Sequence, residues 1–418
     1  MNRIYMCIDL KTFFASVECV ARDLDPFQTN LVVADPSRGE GAICLAVSPK
    51  MKAQGIKGRC RIRDIPKSIR YITALPRMKL YMKYSSDIYG IYLKYISKDD
   101  IHVYSIDEVF MDVKDYLHLY KMNAKQLAQT ILNDIYEETG ITATVGIGTN
   151  LYLCKVALDI TAKHVKDNMG QLTEESYQKT LWHHQPLTDF WQVGRGTMKR
   201  LAKYSIYDMY GIAHCDEKIL YKEFGINAEY LIDHAWGKEP TTIADIKQYK
   251  SKNNSVSHNQ VLFEDYEYED ALLVMKEMVE LKTLDLVQMH LVTNHISLYV
   301  GYSKKEVKST GGSMKIGVRT NSYTILLKEF ISLFERTTHQ HYPIRRLGIS
   351  FGGVLDEIYE YYDLFTDQEL IEEERKLMET IVEIREKYGK NTILKGMNMY
   401  EKATTKKRNR LVGGHNAE

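Results

Sequence analysis

The chain has 418 residues, 56 of them basic and 55 acidic, for a formal charge of +1. That length supplies two to four domains with their own cores and needs no disulfide staples, while the balanced charge means that any nucleic-acid footprint must be local. Six cysteines without a Cys-x-x-Cys pair read as reduced thiols, and no charged-then-apolar leader or apolar run of membrane-spanning length occurs, so the expectation is a cytoplasmic protein with no membrane partner.

Arg3-Ile4-Tyr5-Met6-Cys7-Ile8-Asp9 reads as a buried strand ending in an acid, followed at once by a helical pattern over 12–21. An acid at the carboxyl end of a central strand lies where open α/β sheets place ligands. Residues 22–75 read as an insertion with short strands at 31–34 and 42–47 and a short helix near 50–54. A helix over 76–96 follows, in which Tyr81, Tyr84, Ile88, Tyr92 and Tyr95 recur at helical spacing as a core stripe.

Tyr104-Ser105-Ile106-Asp107-Glu108-Val109-Phe110-Met111-Asp112-Val113 reads as two apolar runs meeting at a polar tip. In a regular strand Asp107 and Glu108 would face opposite ways; a turn there lets both converge, and two close carboxylates repel unless a cation sits between them. A lone Asp-Glu pair would be an ordinary solvated hairpin tip. Asp9 supplies a third carboxylate, which points to hard-cation chemistry on phosphates with hydrolysis and nucleotidyl transfer both open. A helix over 123–138, capped by Asn123 and ended by Gly140, and a strand over 141–147 complete a β-α-β-β-α-β order, the split ferredoxin-like arrangement.

A helix over 150–163 then carries Lys155 and Lys163, whose plain reading is solvated charges near a helix end. Residues 171–236 are all-helical, and Val193-Gly194-Arg195-Gly196 resembles a Gly-x-Gly hairpin whose backbone N–H groups could approach a DNA phosphate, although a simple interhelical turn would use the same residues. A second β-α-β-β-α-β unit spans 255–351, with Lys304, Lys305, Lys308, Lys315, Arg319, Arg345 and Arg346 near its strands, as phosphate tracking or edge protection would require. Near the end, Thr366 with Glu369 reads as a capping box and Phe365 with Leu370 as a hydrophobic staple for an amphipathic helix reaching about 388, before a basic, mobile stretch at 402–410.

Three motifs carry a resemblance: Ile8-Asp9-Leu10-Lys11-Thr12-Phe13-Phe14-Ala15-Ser16-Val17-Glu18, Ser105-Ile106-Asp107-Glu108, and Thr144-Val145-Gly146-Ile147-Gly148-Thr149-Asn150. Their type, order and spacing resemble the Y-family (translesion) DNA polymerases, nearest the UmuC/UvrX branch, over about the first 350 residues. The resemblance implies an α/β multidomain right-hand polymerase: a ferredoxin-like palm (1–21 and 76–170), small fingers (22–75), a helix-hairpin-helix thumb (171–237), a linker (238–254), a βαββαβ little finger (255–355), and a C-terminal helix with a basic tail (356–418). It implies deoxynucleotide addition to a primer 3′ end opposite damaged template, by a monomer acting on primer–template DNA and dNTP.

By the same resemblance, Asp9, Asp107 and Glu108 are catalytic and, with the backbone carbonyl of Leu10, hold two magnesium ions that manganese could replace. Thr12, Phe13, Phe14, Lys52 and Lys163 would hold the nucleotide, Phe14 as the ring that excludes a 2′-hydroxyl. Pro49 stands where the family often has a phosphate-binding tyrosine, which leaves the triphosphate grip of that loop to Lys52. Ile43 and Leu45 match positions that roof the nascent pair. Gly194, Gly196, Lys315, Arg319, Arg345 and Arg346 would meet DNA. Leu364 and Phe365, in Tyr361-Tyr362-Asp363-Leu364-Phe365, resemble a sliding-clamp peptide whose usual leading Gln is Tyr361, and the following helix could dock a small accessory subunit. Two alternatives stay open: a nucleotidyl cyclase on the same palm, and a DNA-binding accessory protein with an impaired palm.

Overall fold

The structure is a computed structural model and describes residues 3–251, 254–304 and 306–418, so Lys305 of the basic cluster lies outside the described residues, as does the side chain of His164. The chain divides into two compact units, Met1–Tyr249 with Ala417–Glu418, and Lys250–Asn416.

The first unit runs β1 (Tyr5–Leu10), α1 (Phe13–Val20), β2 (Leu31–Val33), β3 (Ala46–Val47), α2 (Pro49–Ala53), β4 (Ile72–Ala74), α3 (Met78–Leu93), β5 (Ile101–Val103), β6 (Glu108–Asp112), α4 (Lys114–Tyr120), α5 (Ala124–Thr139), β7 (Ala143–Gly148), α6 (Leu151–Val156) and β8 (Met169–Leu172). Its main sheet has the order β5-β6-β1-β7-β8. The first four strands give the ferredoxin-like order, with β1 antiparallel to both β6 and β7. β8, which the sequence reading lacks, adds a parallel edge to β7. β2, β3 and β4 make a separate small sheet for the 22–75 insertion.

α5 shows why these segments fold as they do. Asn123 and Gln126 cap each other's backbone N–H groups, Gly140 ends the helix in a left-handed conformation, and Leu127, Ala128, Ile131 and Ile135 face the sheet fully buried. The cap contributes about 1 kcal/mol and each large apolar side chain about 1.5–3 kcal/mol. On α3, Tyr81, Ile88 and Tyr92 are buried and Tyr84 and Tyr95 half-buried against the same core, as the stripe requires.

Helices α7 (Glu174–Leu181), α8 (Arg195–Leu201), α9 (Met209–Ala213), α10 (Glu217–Phe224), α11 (Ala228–Ala235) and α12 (Ile243–Gln248) follow. α12 falls inside the stretch read as a linker. Its Ile243 is buried with Tyr5, Phe110 and Leu151, so this part of 238–254 is packed on the first unit.

The second unit consists of β9 (Ser255–Tyr266), α13 (Tyr268–Gln288), β10 (Leu291–Tyr302), β11 (Thr310–Thr320), α14 (Tyr323–Thr337), β12 (Ile344–Gly352), β13 (Leu355–Asp356), α15 (Gln368–Tyr388), α16 (Thr405–Arg408), β14 (Leu411–Val412) and β15 (His415–Asn416). Its linear order repeats that of the palm, but the sheet order is β11-β10-β12-β9, which puts the first strand at an edge instead of inside. Ile296, Leu298, Val300, Leu347, Ile349 and Phe351 point to one face, where they join the core of α13 and α14.

Two expectations for the C-terminal region fail. α15 is capped by Asp367, which accepts from the N–H groups of Glu369 and Leu370; Thr366 instead donates its hydroxyl to Asp363 at 2.7 Å, and Phe365 and Leu370 are both exposed, so neither capping box nor staple forms. The tail at 402–410 is docked. Glu277 of α13, 1% exposed, accepts four hydrogen bonds from it and the preceding turn: Asn398 Nδ2 at 3.0 Å, Thr404 N–H at 2.7 Å, Thr404 Oγ1 at 3.0 Å and Thr405 N–H at 3.2 Å. The tail's cations are used locally: Lys402 pairs with Glu264 at 2.6 Å, Lys407 lies 3.8 Å from the Phe263 ring, and Arg408 reaches Gln260 and His258.

Candidate active site

Pairing of β1 with β6 puts Asp9 directly opposite Glu108, so the two acids share one face of the sheet. The hairpin tip is tied to the end of β1 by the Leu10 N–H, which donates to the Asp107 carbonyl at 2.9 Å. The tip itself is folded by Ser105, whose hydroxyl donates to Asp107 Oδ1 at 2.6 Å and accepts from the Asp107 N–H at 3.3 Å. Sequence and topology therefore deliver the three acids to one end of the sheet.

The helix expected over 150–163 is not uniform. It is α-helical through Val156, widens to a π turn at Ala157–Thr161 and tightens at Ala162–His164. Such widened turns are frequent at functional sites. Lys155 contacts Glu108 Oε1 at 2.8 Å and Asp159 Oδ2 at 3.0 Å; Lys163 contacts Asp159 Oδ1 at 2.7 Å and Asp9 Oδ2 at 3.2 Å. The outcome is a chain of alternating charge, Glu108–Lys155–Asp159–Lys163–Asp9. Asp159 was not singled out from sequence, although its i,i+4 spacing to both lysines was visible.

Glycines of the third motif let this helix approach. A Cβ on Gly146 would stand 2.0 Å from the Cys154 carbonyl oxygen, and one on Gly148 2.2 Å from the Cys154 nitrogen. Any side chain at either position would push the two lysines away from the acids.

Burial raises the Asp9 carboxyl above its usual range, with Lys163 opposing and the other two acids reinforcing the rise. Burial also works against the Lys155 charge, but the Asp159 and Glu108 carboxylates beside it outweigh that and hold the ammonium well above its ordinary value. The Cys7 thiol donates to Glu108 Oε1 at 3.1 Å.

The convergence inferred from sequence holds for the backbone and not for the carboxylates as placed. Among the described residues no three Asp, Glu, His or Cys side chains close on one point. Three carboxylates repel without a cation, and each has turned to a lysine or a hydroxyl. The set nevertheless fits a hard divalent ion. Asp9, Asp107 and Glu108 offer only oxygen, two of them are side by side across a strand pair, and ammonium groups already stand against Glu108 and Asp9.

Beside the acids lies a cavity of about 530 Å³, lined by Asp9, Lys11, Thr12, Phe13, Phe14, Leu45, Pro49, Lys52, Arg59, Asp107 and Lys163. Phe13 is 2% exposed and belongs to the core, whereas Phe14 is half-buried at the cavity and stacks on Tyr81 with centroids 4.7 Å apart. The Tyr81 hydroxyl donates to Glu18 at 2.6 Å, and Glu18 is fully buried between Arg22 and Arg77, so the Phe14 ring stands on a braced platform. Of the two roof positions, Leu45 lines the cavity and Ile43 is exposed. Pro49 is the first residue of α2 behind the Ser48 cap, a position where its missing N–H does no harm. Lys52, from the last turn of that helix, faces the cavity; burial and Lys163 lower its ammonium, with Asp9 opposing. Lys11 and Arg59 are additional cations that the sequence reading passed over.

Gly194 caps α8 with Gly196 in its first turn. Neither has a positive φ, and a Cβ on either would meet nothing within 4 Å. Local backbone and internal packing therefore do not demand glycine at either position.

On the second unit, the sheet face away from the helices carries Ser257, Asn259, His295, Ser297, Tyr299, Ser313, Lys315, Arg346 and Ser350, as the strand registers dictate. Lys315 and Arg346 are free of carboxylate partners among the described residues. Arg345 pairs with Asp265 at 3.4 Å, and Arg319 donates to the Gly353 carbonyl at 2.6 Å and lies over the Tyr361 ring. The expected basic face is thus narrower than the cluster suggested. Leu364 and Phe365 are 99% and 96% exposed, on a turn held by Asp363, which accepts from the Phe365 N–H at 3.0 Å.

Residues 8–159 match the impB/mucB/samB family and residues 253–360 match the impB/mucB/samB family C-terminal domain. The chain is 29% identical over 418 residues to a putative UV-damage repair protein UvrX of Bacillus subtilis (strain 168), covering 98% of this chain and 97% of that protein. It is 27% identical over 420 residues to DNA polymerase IV 2 of Halalkalibacterium halodurans, covering 99% and 100%. Among solved structures, a Y-family DNA polymerase chimera, Dbh-Dpo4(243-245)-Dbh, superposes with a TM-score of 0.65 at 21% identity, over 84% of this chain and 99% of that one.

Proposed function

The chain belongs to the impB/mucB/samB family, that of the Y-family polymerases, and on that premise we infer that it is a translesion DNA polymerase that extends a primer on damaged template from dNTP. The fold is the right-hand polymerase with palm, fingers, thumb and little finger. The observation that carries the site assignment is the direct cross-strand opposition of Asp9 and Glu108, with Asp107 tied to the same strand end.

Catalysis in the family depends on divalent metal. We assign Asp9, Asp107, Glu108 and the Leu10 carbonyl as the ligands of two magnesium ions, with manganese able to substitute. When bound, such ions acidify the primer 3′-hydroxyl and neutralise the triphosphate. The chain's own residues do the rest. Lys52 and Lys163 neutralise phosphate oxygens from either side of the cavity, and Thr12 and Phe13 hold the turn beneath them. Lys163 leaves Asp9 for the nucleotide, and Asp159 retains it within reach. Phe14 supports the sugar from its platform and excludes a 2′-hydroxyl. Phe14→Ala is expected to lower discrimination against ribonucleotides by at least tenfold in single-nucleotide incorporation, with deoxynucleotide rates little changed; unchanged discrimination would remove the assignment.

Gly194 and Gly196 offer backbone N–H groups to a DNA phosphate, and Lys315 and Arg346 give the open face of the second sheet its charge. Arg319 and Arg345 contribute less, since each already has a protein partner.

The test is primer extension on a defined template, where insertion of the complementary deoxynucleotide and a fall of DNA affinity with salt are expected. Cyclisation of a nucleoside triphosphate without template would instead support the cyclase reading. DNA binding without extension would support the accessory-protein reading. The second unit, whose residues 253–360 match the family's C-terminal domain, favours the polymerase over the cyclase, and the three acids beside their cavity favour it over the accessory protein.

The exposed Leu364 and Phe365 support a sliding clamp as partner, since two neighbouring apolar side chains in water gain most from a pocket. A Leu364→Ala/Phe365→Ala variant is expected to lose clamp capture at least tenfold while keeping basal extension on short templates. Equal capture of variant and wild type would exclude this loop. A small accessory subunit has less support, because α15 buries Met378 and Ile381 in its own unit. We take the enzyme to act as a monomer in the cytoplasm.

A further inference from the structure

The loop between β1 and α1 holds a cation that the assignments above leave without a task. Lys11 lies two residues past Asp9, and its backbone is pinned at both ends: its N–H donates to the Thr142 carbonyl at 2.8 Å, and its carbonyl accepts from the Ser16 hydroxyl at 2.8 Å. The next residue, Thr12, holds a left-handed backbone, φ 45°, which turns the chain sharply into α1. The side chain is therefore rooted in a rigid corner and lines the same cavity as Lys52 and Lys163.

The charges there are unbalanced. Lys11, Lys52, Arg59 and Lys163 line the cavity with only Asp9 and Asp107 as lining carboxylates. Lys163 is in direct ion pairs with Asp159 and Asp9; among the described residues Lys11 and Lys52 form no ion pair, Asp9 acting on them only at longer range, and the Lys11 ammonium donates to the neutral amide oxygen of Asn168. Ammonium groups gathered in a half-enclosed space repel each other, and an arrangement that persists despite this is one that an anion completes. Pro49, meanwhile, brings neither a hydroxyl nor an N–H to the opposite wall.

We propose that Lys11 grips the triphosphate of the incoming nucleotide, forming with Lys52 and Lys163 a three-ammonium cradle that dispenses with a hydroxyl at position 49. The assignment rests on the polymerase reading and deepens it. Swinging from Asn168 to a phosphate oxygen exchanges a hydrogen bond to a neutral amide for one to a charged oxygen, which is the stronger kind. The expected effect is on nucleotide affinity and not on the affinity for DNA.

The experiment reads binding without chemistry. A dideoxy-terminated primer on its template is held by the full-length protein with magnesium, and retention is followed as dNTP is raised. Lys11→Met, which keeps the length and removes the charge, is expected to need about tenfold more dNTP for half-maximal retention, with primer–template affinity in the absence of dNTP within twofold of wild type. Lys11→Arg, which keeps the charge, is expected to stay within about threefold of wild type. An unchanged dNTP requirement for Lys11→Met overturns the assignment, and so does an equal loss of DNA binding, which would mark a scaffold role through Asn168. If wild type itself forms no dNTP-dependent complex, the polymerase reading falls and this assignment with it; a wild-type complex that Lys11→Met matches sinks the assignment alone.

Discussion

Asp107→Ala is expected to reduce primer extension by at least about a thousandfold, and Glu108→Ala by a comparable factor, while both variants keep their affinity for primer–template DNA. The expectation follows from where charge must be managed. Each of these carboxylates would help hold a divalent ion, which would supply stabilisation of the charge that develops on the reacting oxygens, and several kcal/mol of that stabilisation would be lost with either one. Folding should not suffer in proportion. Asp107 is held locally by Ser105, and its loss removes one of three mutually repelling acids from one end of the sheet. Glu108→Ala differs in one respect: it frees Lys155 from one of its two carboxylates, leaving Asp159 as the other. A thermal transition within a few degrees of wild type, with extension lost, is the expected pair of results. Extension retained within tenfold by Asp107→Ala would displace the hairpin from the centre of the reaction.

What the sequence could reveal follows from the range of the forces involved. The β1 strand, the hairpin tip and α5 rest on local pattern, that is, alternation, turn chemistry and a cap with its stop, and each occurs where those signals put it. The ferredoxin-like order was legible because the interruption could be set aside as a unit. The π turn after α6 was not, since Lys155, Asp159 and Lys163 keep the same spacing in a regular helix and only contact with the sheet selects the wider one. β8 is four residues whose strand character comes from its neighbour β7. Asp367 took the cap from Thr366 because Asp363, three residues earlier, engages the threonine hydroxyl. Lys11 lies inside a recognised motif, and its meaning depends on Lys52, which α2 of the insertion brings to the same cavity.

The docked tail is the largest departure from the sequence reading, and it leads to the second large effect. Glu277→Ala is expected to destabilise the second unit by about 3 kcal/mol, lowering its melting transition by roughly 10 °C. Read from composition alone, a run of lysines and arginines at a chain end is a solvated arm. Here a buried carboxylate more than a hundred residues upstream collects the Asn398 amide, the Thr404 hydroxyl and two backbone N–H groups, and the nearby cations find Glu264, the Phe263 ring and Gln260. Truncation at 277 strips the acceptor from all these donors together, and buried donors without partners each cost about 1–3 kcal/mol unless water reaches them. Water can reach them only if the tail lifts. The first visible consequence should therefore be protease cleavage between 396 and 416, appearing at temperatures where the wild-type tail is still protected. Glu277→Gln should fall between, since its single amide oxygen can serve part of the set while its NH₂ group opposes the remaining donors. A Glu277→Ala protein that melts with wild type and resists proteolysis equally would mean that the tail is held by its surface cations and that the carboxylate is incidental.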